Sequence, residues 1–305
     1  MGTTDPRLAR QVLDALAAAG IEFALLHGAK ALQSGEEFSD LDTVVDRPPE
    51  QVISACLQGW EQMGLRPVIL WAYDIGGTKT VFLTTSDASS GVQLDLLFDP
   101  TGRGKYGVRS SRLLGHVEHL DDGLPVVSEP ARLIYLFQKR RRKAQSERVE
   151  GMLARARTLD RAILAEVSRD VTGSTDILDG LDGEIRPLPR RPAIAHLGRA
   201  VQRIRRPVGF WAHVEEQGIA KEAARRFGAF LAASGAGLLP NRIARCSWYL
   251  REVAPVRLRA GVFVSWGSSQ DGWPAPDVVV ARTDAESSIG EIVSAMARRV
   301  VACVS

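Results

Sequence analysis

The chain predicts an α+β protein in two domains, and three observations carry that prediction. In the first half, capped helical patterns are interleaved with short β-rich runs, two of which are spaced as a hairpin. Between Val171 and Pro192, glycines and prolines punctuate a stretch poor in apolar residues, as at a domain boundary. Beyond that stretch, strand and helix patterns alternate as in a small layered α/β unit. The expected division is 1–145 for the first domain, 146–192 for a helical connector and linker, and 193–305 for the second domain. A length of 305 residues suits two domains better than one.

The first helix is expected from Asp5 as N-cap, Pro6 in the first turn, and Leu8, Val12, Leu13 and Leu16 at helical spacing, with Gly20 ending it. Phe23 to Leu26 reads as a short strand that stops at His27-Gly28. A loop or short helix leads to Ser39, Leu41 to Val45 reads as a strand, and Pro48-Pro49 opens a helix that Gly64 closes. Val68 to Tyr73 and Thr80 to Leu83 are β-rich and separated by Gly76-Gly77, the pattern of a hairpin. Val92 to Phe98 is a further strand, closed by Asp99-Pro100. Ser128-Glu129-Pro130 starts a helix that runs into Lys139-Arg140-Arg141-Arg142-Lys143, and helical patterning resumes through Ser168. The second half reads as strand Val208–Val214, helix Ala220–Ala233, helix Arg242–Glu252, strands Gly261–Trp266 and Val278–Ala281, and a last helix opened by Thr283 and Glu286 as a capping box. No internal repeat or low-complexity tract interrupts this order.

Composition excludes several classes. With 25% charged and 45% hydrophobic residues, the chain has the balance of a soluble globular protein. Its apolar stretches break well before the roughly 20 residues that cross a bilayer, so no membrane partner is expected. No basic segment followed by an apolar one opens the sequence. Cys56, Cys246 and Cys303 are too few and too scattered for a disulfide framework, which makes a reducing, cytoplasmic setting the expectation. The 39 basic residues nearly balance 36 acidic ones, for a net charge of +3, so nucleic acid is not an expected partner.

The chemistry is concentrated in Phe38-Ser39-Asp40-Leu41-Asp42-Thr43-Val44-Val45. In a strand, residues i and i+2 point to the same face, so Asp40 and Asp42 would repel one another unless a cation sat between them. Asp95, in Val92-Gln93-Leu94-Asp95-Leu96-Leu97, places a third carboxylate on an otherwise apolar strand, which is costly without a cation. Three such carboxylates suit two Mg²⁺ ions at the roughly 3.5–4 Å spacing of in-line phosphoryl displacement.

Leu26-His27-Gly28, then Asp40-Leu41-Asp42, then Asp95 on a later strand resembles the nucleotidyltransferase superfamily of the DNA polymerase β fold, over residues 1 to about 145. The resemblance implies a mixed sheet flanked by helices and transfer of NMP from an NTP, with ATP the expected nucleotide and two Mg²⁺ ions as cofactor. It implies that Asp40 and Asp42 bind both metals and the triphosphate. Asp95 would complete one metal site and act as, or hold, the base. Gly28, Ala29, Lys30 and Ser39 would line the nucleotide, with Gly28 letting backbone N–H groups approach the phosphates. Ala29 departs from the Gly or Ser usual in the family. Relatives often use a basic residue on the helix that ends in the Lys139–Lys143 run, which makes Lys139 and Arg140 triphosphate candidates. The implied acceptor is a small molecule, a sugar or a peptide.

In the second half, Gly209-Phe210-Trp211-Ala212-His213-Val214 followed by Glu215-Glu216-Gln217-Gly218-Ile219-Ala220-Lys221-Glu222 has the strand–loop–helix context of a phosphate-binding loop. Glu215 and Ala220 stand where glycines belong, and Glu222 replaces the metal-binding hydroxyl. The layout is similar to polysaccharide-cluster proteins that join a nucleotidyltransferase-like half to a thymidylate-kinase-like half, which implies a degenerate P-loop-kinase-like α/β domain kept as structure or for contact with a protein partner. Two other readings stay open: a non-catalytic nucleotide-binding or scaffold protein of a biosynthetic assembly, and a phosphotransferase working through Lys221. Arg103, Lys105 and Arg109 read as a solvated basic turn. His27 reads equally as a packing or a catalytic residue, His116 and His119 as flanking a turn, and His213 as a satisfied core residue. Trp211, Trp248, Trp266 and Trp273 read as core or interface anchors.

Overall fold

The central strands are buried on both faces, and the architecture follows from what covers each face. The computed structural model describes residues 4–36, 38–72, 78–102, 107–142, 146–183, 209–230, 236–238, 262–267, 276–281 and 284–304. The first half runs α1 (Pro6–Ala18), β1 (Phe23–Leu25), α2 (Ala29–Ser34), β2 (Leu41–Val45), α3 (Pro49–Gln62), β3 (Leu65–Ala72), β4 (Lys79–Thr85), β5 (Gly91–Leu97), α4 (Ser110–Leu114), β6 (Val117–His119) and β7 (Pro125–Val127). Its strands form one mixed sheet in the order β3-β4-β5-β2-β1-β7-β6. Helices α5 (Glu129–Arg142), α6 (Ser146–Ala156), α7 (Arg161–Thr172) and α8 (Asp176–Leu181) follow. The second half contributes β8 (Phe210–Val214), α9 (Gln217–Phe230), β9 (Ala236–Leu238), β10 (Val262–Trp266), β11 (Val278–Val280) and α10 (Ala285–Val304). Its strands form a parallel sheet in the order β11-β8-β10-β9. Mixed and parallel sheets flanked by helices make this a mixed α/β molecule.

One face of the large sheet, built from Leu41, Val45, Val81, Leu83, Leu94 and Leu96, packs against α1 and α3. The other face is shared. Over β1, β2 and β7 it is covered by α5 to α8, which bury Val44 and Leu97 beneath Leu133, Ile134 and Phe137. Over β3 and β4 it is covered from the second half, where Ile69 and Phe82 share one cluster with Phe227, Ile289, Ile292 and Met296. Helix α10 lies against β3, α3 and the parallel sheet at once. The residues of β2 and β5 that point to this face therefore sit between two covers, and that seam is where Asp42 and Asp95 emerge.

Most elements lie where the sequence places them, with differences that have physical causes. Strand β3 begins at Leu65 and carries a bulge between Pro67 and Ile69, because Pro67 lacks the N–H a regular ladder needs. Helix α4 and strands β6 and β7 are additional to the predicted elements, and the interval between His116 and His119 is strand, not turn. Helix α8 falls inside the glycine-punctuated stretch, where Ile177, Leu178 and Leu181 pack into the helical layer. Gly180 is needed there: a Cβ at that position would lie 3.0 Å from the Phe137 ring. At the last helix, Asp284 accepts from the Ser287 N–H at 2.8 Å and serves as the cap. Thr283 lies outside the described residues, as do Arg103, Lys105, Gly76-Gly77, Lys143, Cys246, Trp248, Trp273 and the helix expected over 242–252. Among the described residues, no helix is long and apolar enough to cross a membrane.

Candidate metal centre

Strand pairing brings the carboxylates together. Strands β2 and β5 run parallel with Asp42 directly opposite Asp95, and Asp40 immediately precedes β2 on the same side. One oxygen from each of Asp40, Asp42 and Asp95 lies within 4.8 Å of the others. Asp42 is buried, whereas Asp40 and Asp95 are partly exposed. The approach to Asp40 is held by local contacts. Thr4 pairs with Phe38 in an isolated bridge, its N–H donating to the Phe38 carbonyl at 2.6 Å and its hydroxyl to the Ser39 carbonyl at 3.2 Å. The Leu26 N–H donates to the Asp42 carbonyl at 2.8 Å, which fixes the end of β1 against β2.

Each carboxylate has a donor of its own. The Ser39 hydroxyl donates to Asp40 Oδ1, and Lys139 Nζ donates to Asp42 Oδ2. Lys139 comes from α5, with its side chain and that of Asp42 both under a tenth exposed, and its ammonium lies 5.6 Å from the centroid of the Tyr135 ring. Thr80 on β4 stands opposite Asp95, and its hydroxyl donates to Asp95 Oδ1 at 2.6 Å. Gln93 Nε2 reaches the same oxygen at 3.2 Å. Even so, loss of water around Asp95, then the negative charge of Asp42, push its carboxyl up to about 7, against the Thr80 bond and the Lys139 charge; Asp40 adds to the rise.

Gly28 closes the site from the other side. Its φ of +92° lies in the left-handed region, and a Cβ there would meet the Asp40 carbonyl and the Phe38 ring at 3.7 Å. Ala29 is buried at the start of α2 and Lys30 is exposed beside it. The charge of Lys30 is felt by Glu129 at the start of α5. Arg140 is partly buried and displaced about 100° around α5 from Lys139. The fold thus gathers Gly28, Ser39, Asp40, Asp42, Asp95 and Lys139. Thr4, Thr80 and Gln93 belong with them too, although nothing in the sequence singled these out: threonine is common in strands, and only the register shows which residue stands opposite Asp95.

The donor set fits a hard divalent cation. Three carboxylate oxygens converge, and carboxylate oxygen is a preferred ligand of Mg²⁺.

In the second half, Trp211 Nε1 donates to Ser265 Oγ at 2.8 Å, His213 Nδ1 lies 2.8 Å from the same oxygen, and His213 Nε2 lies 3.0 Å from the Gly267 carbonyl. All three side chains are buried or nearly so, and their polar atoms are mutually satisfied. Lys221 is exposed on α9, while Glu222 is engaged by Arg225 and Arg226, whose guanidinium groups hold its carboxyl at about 2. No protein-family model matches the chain, and no curated protein matches it.

Proposed function

We propose that this protein is a Mg²⁺-dependent nucleotidyltransferase that moves NMP from an NTP, ATP first among them, to a hydroxyl or phosphate of a small-molecule, sugar or peptide acceptor. The observation that carries this reading is the convergence of Asp40, Asp42 and Asp95 from two parallel, register-matched strands, with Gly28 in a left-handed conformation against Asp40. In the reaction, the acceptor oxygen forms a bond to the α-phosphorus, the bond to the pyrophosphate oxygen breaks, and the hydroxyl proton is released. Divalent ions held by the three aspartates would neutralise charge on the phosphates and orient the α-phosphate for in-line attack. The chain's own part is to hold the carboxylates on a rigid sheet and to bring the Lys139 ammonium to the same face. The second half supports a degenerate P-loop-kinase-like reading through its parallel order, in which neighbours diverge on either side of β8. Glu215 and Glu216 occupy the loop where phosphates would sit, and both are exposed carboxylates. In this reading the second half covers β3 and β4 and performs no phosphotransfer.

The test is calorimetric titration of ATP, GTP, CTP and UTP with Mg²⁺, followed by pyrophosphate release across an acceptor panel. Asp40→Asn/Asp42→Asn should abolish metal-dependent binding and turnover while leaving the circular dichroism spectrum unchanged, and Lys221→Ala should leave both intact. Binding that survives the double variant, or turnover lost only in Lys221→Ala, would overturn the reading.

A further inference from the structure

Each carboxylate of the centre is already held by protein donors through one oxygen, and at Asp95 the holding is double. The Thr80 hydroxyl and Gln93 Nε2 both reach Asp95 Oδ1, at 2.6 and 3.2 Å. A carboxylate oxygen offers two in-plane lone pairs, so two donors saturate Oδ1 and leave Oδ2 as the atom able to bind an ion. At the other two carboxylates a single donor reaches one oxygen, Ser39 at Asp40 Oδ1 and Lys139 at Asp42 Oδ2, so the double hold is particular to Asp95. Thr80 is placed for this by the sheet itself. It is the cross-strand partner of Asp95 on β4, as Asp42 is on β2, and it is 1% exposed.

We infer that Thr80 and Gln93 are positioning residues that make Asp95 a one-oxygen ligand and thereby favour Mg²⁺ or Mn²⁺ over Ca²⁺ at the centre. A one-oxygen carboxylate suits the octahedral shell of Mg²⁺, which leaves its other positions to the remaining carboxylates, phosphate oxygens and water. Ca²⁺, which takes six to eight oxygens and favours two-oxygen carboxylates, gains less from such a set. Outer donors of this kind change metal affinity by about 10–100-fold when removed. The inference rests on the carboxylates being the metal ligands, and the experiment separates the two.

Mn²⁺ binding to the full chain, without nucleotide, is followed by electron paramagnetic resonance, with Ca²⁺ as competitor. Thr80→Val should weaken Mn²⁺ by about 10–100-fold and narrow the preference over Ca²⁺. Thr80→Ser, which restores the hydroxyl, should recover most of the affinity; a merely structural role for the threonine methyl would not give that recovery. Gln93→Met, at a partly exposed position, should show the same change to a smaller degree and carries the test if Thr80→Val does not fold. Unchanged Mn²⁺ affinity and Ca²⁺ competition in Thr80→Val or Gln93→Met, alongside loss of binding in Asp42→Asn, would overturn the positioning role and leave the metal centre standing. Wild-type binding in Asp42→Asn would instead overturn the centre itself.

Discussion

At Asp95, desolvation and the charge of Asp42 raise the carboxyl from its ordinary 3.8 to about 7, so between those pH values the folded chain retains a proton there that the unfolded chain has lost. A raised acid contributes stability fully below the unfolded value, and that contribution is lost as pH rises through the folded value. In EDTA, the melting temperature of the wild type relative to Asp95→Asn is therefore expected to fall between about pH 4 and pH 8. Mg²⁺ should restore the wild type increasingly over the same interval, and should do little for the variant. Differential scanning fluorimetry across pH checks both. Lys139 offers a second measurement. Its ammonium is bonded to Asp42 Oδ2, where it would compete with a cation for that carboxylate. Lys139→Met should bind Mn²⁺ on the order of tenfold more tightly, about 1.4 kcal/mol, while slowing NTP turnover. Looser metal binding in that variant would show that the lysine organises the site instead of competing for it.

At the scale of elements, the short turn from β1 through Gly28 into α2 determines where Asp40 can stand. A side chain at residue 28 would meet only ordinary contacts at 3.7 Å, so the cost of Gly28→Ala is one of backbone conformation, about 1–2 kcal/mol. Chemical denaturation should report that loss together with weaker nucleotide binding. The elements that carry the site were legible because their signals are local: Asp5 capping α1, Pro49 opening α3, leucines alternating with Asp95 in β5. Strands β6 and β7 were not. Val117-Glu118-His119 contains one apolar residue and Pro125-Val126-Val127 opens on proline, so neither carries a period long enough to read. Helix α8 was hidden for a different reason, since Gly180, a breaker by propensity, is there for close approach to Phe137. The three aspartates could be found from sequence because carboxylates between apolar residues are costly. Thr80 could not, because it meets Asp95 only once β4 and β5 are in register, whereas Gln93 shares a face with Asp95 by strand alternation alone.

At the scale of the molecule, the turn between β4 and β5 is fastened to the second half. Arg226 of α9 is mostly buried, donates to the Asp87 carbonyl at 2.9 Å, and pairs with Glu222 and with Glu286 of α10. Ala88, at a positive φ of 54°, is fully buried in the cluster that joins Phe82 to Phe227 and Ile289. Arg226→Met should cost about 1–3 kcal/mol, read as a lower urea midpoint with unchanged slope, because Glu286 and the Asp87 carbonyl lose their Arg226 donor while Glu222 keeps only Arg225. A midpoint within error of the wild type would show that the apolar cluster alone holds the halves together.

The position of α10 against β3 also orders events in time. Translation adds about 5–20 residues per second, so Ile69 and Phe82 emerge from the ribosome roughly 10–40 s before the helix that covers them. Throughout that interval the sheet bearing the aspartates has one flank bare, and the nascent chain presents an apolar surface that a chaperone can hold.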